Sequence, residues 1–210
     1  MQYFTIKTLI CFSVLSFLLI NPTFSQETEW ISLFDGETLN GWKASENPET
    51  FSVQDGKIVT DGPRAHLFYM GDVNNHNFDD FEFKVDVMTT EGSNAGIYFH
   101  TAYQETGWPN KGYEAQINNT YESDPRKTGS LYGIDDIKQA PAEDNKWFTM
   151  YVKVEGQDIT IQINDKTLVN YTEPENPDRD SPVLSSGTIA LQGHDPDSKV
   201  YFKNVMIRPL

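Results

Sequence analysis

Cysteine is almost absent from this 210-residue sequence, and so are the motifs of several large enzyme classes. The single cysteine, Cys11, lies in an apolar N-terminal segment. The rest of the chain therefore has neither a disulfide framework nor a thiol nucleophile. No glycine-rich nucleotide loop, no H-E-x-x-H zinc motif and no G-x-S-x-G serine motif is present. Nucleotide cofactors, phosphoryl transfer and the usual zinc and serine hydrolases are thus unsupported.

Basic residues are also scarce. The chain has 16 Lys and Arg against 31 Asp and Glu, which gives a formal net charge of −15 at pH 7. Proteins that bind nucleic acids or anionic membranes neutralise phosphates with Lys and Arg. The charge therefore argues against both partners, and a neutral ligand such as a sugar fits better.

Long hydrophobic runs are limited to one, at the N-terminus. Lys7 precedes an apolar run over residues 9–20, and Thr23 and Ser25 supply small residues at −3 and −1 of a cleavage site. A run of about twelve residues is shorter than the roughly twenty that a spanning helix needs. We predict a signal peptide over residues 1–25, export to the periplasm or beyond the cell, no membrane span, and a single domain over residues 26–210.

Helical spacing is missing from that domain, and period-two alternation takes its place. Apolar and polar residues alternate over residues 81–87, 159–163, 189–192 and 200–207, which predicts strands with one buried face. Asp55-Gly56 predicts a tight hairpin turn, because that pair tolerates positive φ angles. Many short strands predict a two-sheet antiparallel sandwich or barrel. Two long irregular segments, 103–112 and 120–145, are of the kind that often carries a functional site.

One predicted strand stands out because three polar side chains share a face. Over residues 112–118, alternation places Glu114, Gln116 and Asn118 together. Near the C-terminus, Gln192 and His194 share a side in the same way, and histidine titrates near neutral pH. The alternatives are an ordinary solvent-facing strand surface and a structural histidine.

Further candidates come from a small-residue strand and from the long segments. The strand over residues 93–100 begins with small residues, which allow close backbone approach, and ends in His100. Tyr132, Trp108 and Tyr103 are aromatic side chains that could stack on a sugar or, equally, cover the core.

Several sequence blocks, taken in order, resemble the 3-keto-disaccharide hydrolase domain family. The blocks are residues 33–42 (LFDGETLNGW), 94–99 (NAGIYF), 112–117 (GYEAQI), 128–133 (TGSLYG), 191–194 (LQGH) and 201–207 (YFKNVMI). The resemblance implies a concanavalin A-like jelly roll and cleavage of glycosides whose C3 hydroxyl has already been oxidised. A C3 ketone acidifies the C2 proton, so a base can remove it and expel the C1 substituent before water adds back. A separate sugar 3-dehydrogenase would act upstream.

The resemblance also suggests roles for particular residues. We expect Glu114 and His194 to serve as acid and base, without deciding which is which, and to converge in one cavity on the inner side of a curved sheet. The other expected substrate-binding residues are Asn94, Gln116, Tyr132, Gln192, Trp108, Arg64, which would hold a ketone or enolate oxygen, Asp35, which would fix a turn beside the site, and His100. Family members commonly have Arg where this chain has His100. A divalent metal is left open, because His100, Glu114 and His194 could in principle gather one.

Two other classes of function compete with the hydrolase. A non-catalytic, lectin-like module would use Trp108, Tyr103, Tyr132 and Tyr98 as a stacking platform, and Glu114 would only accept a hydroxyl. A structural surface protein is favoured only by the export signal and the acidity. Fold alone does not separate these classes.

Overall fold

The computed structural model describes residues 1, 29–177 and 182–210. The predicted signal peptide and its cleavage site lie, apart from the first residue, outside the described part of the chain. Within these described ranges, two short 3₁₀ helices, Pro48–Thr50 and Val73–His76, accompany thirteen strands. The strands are β1 Ile31–Ser32, β2 Trp42–Ala44, β3 Phe51–Gln54, β4 Lys57–Asp61, β5 Ala65–Tyr69, β6 Phe81–Thr89, β7 Asn94–Thr101, β8 Tyr113–Asn118, β9 Phe148–Glu155, β10 Asp158–Ile163, β11 Lys166–Thr172, β12 Thr188–Gly193 and β13 Lys199–Pro209. Among the described residues, no helix is long and apolar enough to cross a membrane.

The strands form two antiparallel sheets packed face to face as a jelly-roll sandwich. The larger sheet has the order β11-β10-β9-β6-β13-β4-β3, with β1 also paired to β13. The smaller sheet has the order β2-β5-β12-β7-β8. Strands β9, β10 and β11 pair in chain order, whereas pairs such as β6 with β13 and β5 with β12 join distant parts of the sequence, so the fold depends on local and long-range pairing together. The predicted all-β, two-sheet architecture is confirmed.

The predicted alternation builds the core between the sheets. On β6, Phe81, Phe83, Val85 and Val87 are fully buried against the smaller sheet. Burial of one such side chain stabilises the fold by about 1.5–3 kcal/mol. The predicted hairpin is also present: Asp55 and Gly56 both have positive φ, 48° and 75°, between β3 and β4.

The outer face of the smaller sheet carries polar side chains beside a small apolar cluster of Phe68, Tyr98 and Ala190, and long connections cover it. Segment 128–132 runs beside the edge strand β8, with Gly129 N donating to Gln116 O at 2.9 Å and Tyr132 N donating to Glu114 O at 2.9 Å. Ser130 O accepts from Gln116 N at 3.0 Å. These bonds satisfy the free edge of β8, as an added strand would. They also fix Tyr132 beside Glu114.

Candidate functional site

A cavity of about 360 Å³ lies on this outer face. It is lined by side chains from β7, β8 and β12 and from the two long segments that the sequence analysis singled out. The lining residues are Asn94, Tyr98, Trp108, Pro109, Gly112, Glu114, Gln116, Asp124, Tyr132, Pro182, Gln192 and His194. The structure thus brings Glu114 and His194, 80 positions apart in the sequence, into one cavity.

Glu114 lies at the centre of a hydrogen-bond cluster in this cavity. Tyr98 Oη donates to Glu114 Oε2 at 2.7 Å, and Gln192 Nε2 donates to Glu114 Oε1 at 3.2 Å. Gln192 Nε2 also lies 3.2 Å from Tyr98 Oη, so three neighbouring strands are joined through one carboxyl group. Both carboxylate oxygens are therefore fixed in position.

Space for the carboxyl group comes from Gly96 on the neighbouring strand. A β-carbon on Gly96 would lie 2.1 Å from Glu114 Oε1, and the next two nearest atoms also belong to the Glu114 side chain. Real contacts are never this short, so any larger residue at this position would displace the carboxylate. The small-residue strand noted in the sequence thus makes room for Glu114.

Gln116 and Asn94 form the polar wall next to Glu114. Their amide groups are 3.1 Å apart, between Gln116 Nε2 and Asn94 Oδ1. Rotating the Gln116 amide by half a turn places its nitrogen 3.2 Å from Glu114 Oε1 and 3.3 Å from Ala95 O. Amide orientation is assigned from the hydrogen-bond network, and this second orientation satisfies more groups. With the Gln116 amide in this second orientation, the Glu114 carboxylate accepts hydrogen bonds from three side chains.

The surroundings shift the acidity of two of these groups. Burial raises the pKa of Glu114 from 4.5 to about 7, although the hydrogen bonds from Tyr98 and Gln192 favour the ionised form and oppose the rise. Burial, followed by the nearby Glu114 charge, raises the pKa of the Tyr98 hydroxyl far above its usual range. Near neutral pH, Glu114 therefore has comparable populations with and without its proton, while Tyr98 stays a donor.

His194 follows the end of β12 and is held by a carboxylate and two aromatic rings. Its Nδ1 lies 2.5 Å from Asp195 Oδ2. The rings of Trp108 and Tyr121 lie 5.3 and 5.5 Å from the imidazole, centroid to centroid. A carboxylate at Nδ1 fixes the proton there and leaves Nε2 as the working nitrogen. His194 is therefore oriented, as a proton donor or acceptor must be.

Asp124 and Tyr132 form the wall opposite Gln192. Asp124 Oδ1 accepts from Arg126 N at 2.8 Å, which fixes the carboxylate at a turn. Arg126 lies over the Tyr132 ring at 4.3 Å and also faces Asp136 Oδ1 at 3.3 Å. Burial raises the pKa of Tyr132 as well. The positive charge of Arg126 is thus neutralised by two carboxylates, those of Asp124 and Asp136.

Three predicted substrate-binding residues lie outside the cavity, and the expectation for them is corrected. Asp35 does fix a turn, through Thr38 Oγ1 at 2.7 Å and the backbone N of Glu37 at 2.8 Å, but it borders a separate surface depression. Arg64 pairs with Glu46, Nε to Oε1 at 2.8 Å, and lies behind Trp108 at 5.1 Å from the ring.

His100 is the third of these residues, and a backbone irregularity explains its position. Strict alternation would place it on the cavity side with Tyr98. His100 instead has φ of 54°, and the pairing of β7 with β12 shifts register between Thr188 and Ala190. Its ring therefore turns to the core side, 5.7 Å from the ring of Phe81, and its Nε2 bonds to Asp79 O at 2.8 Å. A β-bulge of this kind reverses the faces beyond it.

Two other predicted site members also have structural roles. Asn118 was predicted on the same face as Glu114, but its amide donates to Asp124 O at 3.0 Å and to Arg126 O at 2.8 Å, which shapes the loop. Tyr103 packs on Phe68 at 5.4 Å, away from the cavity lining. Tyr103 is therefore not part of the set of aromatic side chains that could stack on a sugar in the cavity.

The metal-binding set left open by the sequence is not brought together. His100 lies on the opposite side of the sheet from Glu114 and His194. Within the described ranges, no group of three or more His, Cys, Asp or Glu side chains is placed to hold a metal ion.

Sequence reasoning missed two residues at or beside the cavity and the role of a third. Tyr98 was considered only for stacking, although its hydroxyl bonds to Glu114. Asp124 lies in a loop without a motif, and no sequence signal indicates its position. His66 lies on β5 beneath the cavity wall, directly opposite Gln192. The pairing of β5 with β12 would have placed His66 opposite Gln192, but the sequence alone did not predict which strands pair.

The chain also matches the model of a known protein family. A model of the 3-keto-alpha-glucoside-1,2-lyase-like domain matches residues 29–208, most of the chain. The chain belongs to this family. The 3-keto-alpha-glucoside-1,2-lyase-like domain therefore includes both long cavity loops and all the residues that line the cavity.

A curated relative agrees with the family but matches only a segment. It is a 3-keto-disaccharide hydrolase from Bacteroides thetaiotaomicron, 30% identical over 77 residues, which are 33% of this chain and 27% of the relative. The match thus spans about a quarter of that relative's length.

Solved structures share the fold at low identity. A candidate glycosyl hydrolase from Parabacteroides distasonis has a TM-score of 0.71 and 24% identity, covering 86% of this chain and 94% of its own. The carbohydrate-binding module CBM66 from Bacillus subtilis has a TM-score of 0.56 and 15% identity, covering 80% and 95%. At these identities the likeness establishes the jelly roll only. At the level of the family, the domain model supports a carbohydrate-active enzyme.

Proposed function

We propose that this protein is an exported hydrolase that cleaves 3-keto-glycosides by removal of the C2 proton, elimination of the C1 substituent and addition of water. The observation that supports this most is the partly buried Glu114 carboxyl, held by Tyr98 and Gln192 in the same cavity as His194. The family and the name of the curated relative point to the same substrate class.

Glu114 is assigned as the base. Proton abstraction needs a group whose ionised form is populated near the working pH, and a pKa of about 7 meets this need. The carboxylate takes the C2 proton, and the electrons of that C–H bond form an enolate with the C3 ketone. The enolate then expels the C1 oxygen, which leaves an unsaturated ketone in the ring.

His194 is assigned as the acid for the leaving oxygen. Asp195 holds Nδ1 and orients the imidazole, so that Nε2 is the nitrogen left to face the leaving oxygen. Donation of its proton releases the alcohol or second sugar, and water then adds across the new double bond. The sum is one glycoside and one water giving a 3-keto sugar and an alcohol, with Glu114 and His194 returned to their starting forms. Asn94, Gln116, Gln192 and Tyr132 would hold hydroxyls and the enolate oxygen.

The test compares an oxidised substrate with its parent. Purified protein is incubated with methyl α-glucoside oxidised at C3 and with unoxidised methyl α-glucoside. Turnover of the keto form only is expected. Glu114→Gln and His194→Ala should each reduce turnover at least about a hundredfold, the usual scale for losing a general acid or base. Glu49→Gln and His76→Ala change the same residue types outside the cavity lining and should leave turnover unchanged.

A second measurement separates the base from the acid. An aryl leaving group needs no protonation, so an aryl 3-keto-glucoside should restore turnover in His194→Ala but not in Glu114→Gln. Exchange of the C2 proton in heavy water should persist in His194→Ala and disappear in Glu114→Gln. The opposite pattern would reverse the two assignments.

A lectin-like binding module is the second candidate function. It is favoured by Trp108, which borders the cavity and is 44% exposed, because exposed tryptophans beside a cavity often stack on sugars. Binding of both methyl glucosides without turnover of either would support the module and exclude the enzyme.

A further inference from the structure

His66 is buried beneath Trp108, and among the described residues its ring nitrogens make no hydrogen bond. The side chain has 0% exposure, and in the described part of the chain neither ring nitrogen has a hydrogen-bond partner. Directly opposite on β12, Gln192 Oε1 is likewise buried and unpartnered among the described residues. Opposed side chains on neighbouring strands have β-carbons about 4.5–5.5 Å apart, so these polar atoms face one small region.

Unpartnered polar atoms in such a place call for a ligand or water. Nearly all buried polar groups are hydrogen-bonded, and the exceptions concentrate at sites of function. Burial lowers the pKa of His66 to about 4, so at neutral pH the ring is uncharged, with one donor and one acceptor nitrogen. Together, His66 and Gln192 offer one donor and two acceptors, which suits sugar hydroxyls.

Trp108 is the cover of this region. Its ring lies 5.6 Å from the His66 ring and 5.3 Å from the His194 ring. Within the described residues, no hydrogen bond holds the indole nitrogen, and the side chain is 44% exposed. The segment that carries Trp108 is fixed by Gln104, whose Nε2 donates to Trp108 O at 2.7 Å. The backbone is therefore fixed, whereas among the described residues the ring is held by contacts with His66, His194 and Arg64 rather than by a hydrogen bond.

The size of the cavity indicates what the covered region receives. A volume of about 360 Å³ is near the lower end for ligand pockets, about 300–1,000 Å³, so a substrate of two rings has little room to spare. A disaccharide needs room for its second ring next to the acid, His194, which Trp108 contacts.

We infer that rotation of Trp108 opens a second sugar subsite, in which His66 and Gln192 Oε1 bind hydroxyls of the departing ring. This inference rests on the proposed function for the identity of the substrate. It adds His66 as a binding residue that determines the preference for a disaccharide over a simple glycoside.

The kinetic test uses one substrate with two rings and one with a single ring. Maltose oxidised at C3 of its non-reducing ring is compared with methyl α-glucoside oxidised at C3. In His66→Phe, which keeps an aromatic ring but removes both nitrogens, KM for the keto-maltose should rise about tenfold, since each lost hydrogen bond is worth a factor of a few. The methyl glycoside should be unaffected. His76→Phe, outside the cavity, is the matched control. Equal effects on both substrates, or no effect on either, would overturn the subsite.

A binding measurement remains decisive if neither keto sugar is cleaved. Unoxidised maltose is titrated into ¹⁵N-labelled wild-type protein, and the imidazole nitrogens are followed by NMR. Shifts of the His66 ring nitrogens that are absent with methyl α-glucoside support the subsite, whatever the catalytic result. Shifts confined to His194, or none at all, overturn the subsite. Unchanged thermal stability of His66→Phe excludes misfolding as the cause of a kinetic effect.

Discussion

Glu114 is the residue at which the cavity has its clearest chemical consequence. Its carboxyl is partly buried, and burial opposes its negative charge, while the hydrogen bonds from Tyr98 and Gln192 favour that charge. Burial is the larger effect, so the folded state holds the proton more tightly than the unfolded chain does. The raised pKa suits a catalytic base, but ionisation of the same carboxyl lowers the stability of the folded state.

This imbalance predicts a pH-dependent gain in stability for Glu114→Gln. The folded pKa of about 7 lies above the reference value of 4.5. The stability that the protonated carboxyl contributes is therefore fully present below about pH 4.5 and is lost as pH rises through about 7. Glutamine cannot ionise, so the variant should gain on the wild type over this range, by about 1–3 kcal/mol in all. Urea unfolding at several pH values between 4 and 8 measures the difference. A difference that stays flat would mean that the carboxyl ionises at its ordinary pH.

The residues of this cluster were accessible to sequence reasoning to different degrees. Alternation along one strand placed Glu114 and Gln116 on one face, and it did the same for Gln192 with His194. His66 was not found, because it stands among Ala65, Leu67 and Phe68 in a strand that is buried on both faces. Within β5 the residue two positions from His66 is Phe68, and Arg64 precedes the strand, so alternation marks no polar face there.

At the scale of elements, the pairing of β7 with β8 defines the site. Gly96 lies opposite Gln116, and Tyr98 lies opposite Glu114. The Glu114 side chain leans along the strand into the space over Gly96. One missing side chain on β7 thus determines where the carboxylate of β8 can stand.

Gly96→Ala should therefore destabilise the protein through Glu114 alone. The new β-carbon would overlap Glu114 Oε1, Cδ and Cγ, and overpacking of this kind costs about 1–3 kcal/mol. In a Glu114→Ala background those three atoms are absent, and Ala is favoured over Gly within a strand. The substitution should then be neutral or stabilising. A double-mutant cycle of unfolding free energies isolates the interaction. Equal costs in the two backgrounds would show that the strand itself, not the carboxyl, rejects the methyl group.

The same strand shows where pattern reasoning fails. Period two holds on β7 from Asn94 to Tyr98, and it places Asn94 and Tyr98 in the cavity. The positive φ of His100 then reverses the faces, so a predicted binding residue contacts Phe81 in the core instead. Positive φ at a histidine leaves little trace in sequence, whereas the Asp55-Gly56 turn between β3 and β4 was predicted.

At the scale of the whole molecule, the distribution of charge limits which sugars can enter. The net charge is −15, and the ionisable side chains that line the cavity are Glu114, Asp124, His194 and two tyrosines. The nearby guanidinium groups are neutralised, Arg126 by Asp124 and Asp136, and Arg64 by Glu46. Among the described lining residues there is no lysine or arginine to accept an anion.

The cavity should therefore discriminate against a substrate that carries a carboxylate. Methyl α-glucuronoside oxidised at C3 should have kcat/KM at least about tenfold below that of the matching glucoside, because an unpaired like charge at 4–8 Å costs on the order of 1 kcal/mol or more. The C6 amide has nearly the same size without the charge, and it should react like the glucoside.

Salt and a single substitution separate charge from shape in this comparison. Screening at about 0.5 M salt should narrow the gap between glucuronoside and amide, since the Debye length falls to a few ångströms. Asp124→Asn removes one charge from the cavity lining and should reduce the difference in kcat/KM between glucuronoside and amide further. Asp35→Asn, outside the cavity, should leave that difference unchanged. If the amide is rejected as strongly as the carboxylate, the limit is steric, and the acidity of the chain has no part in substrate choice.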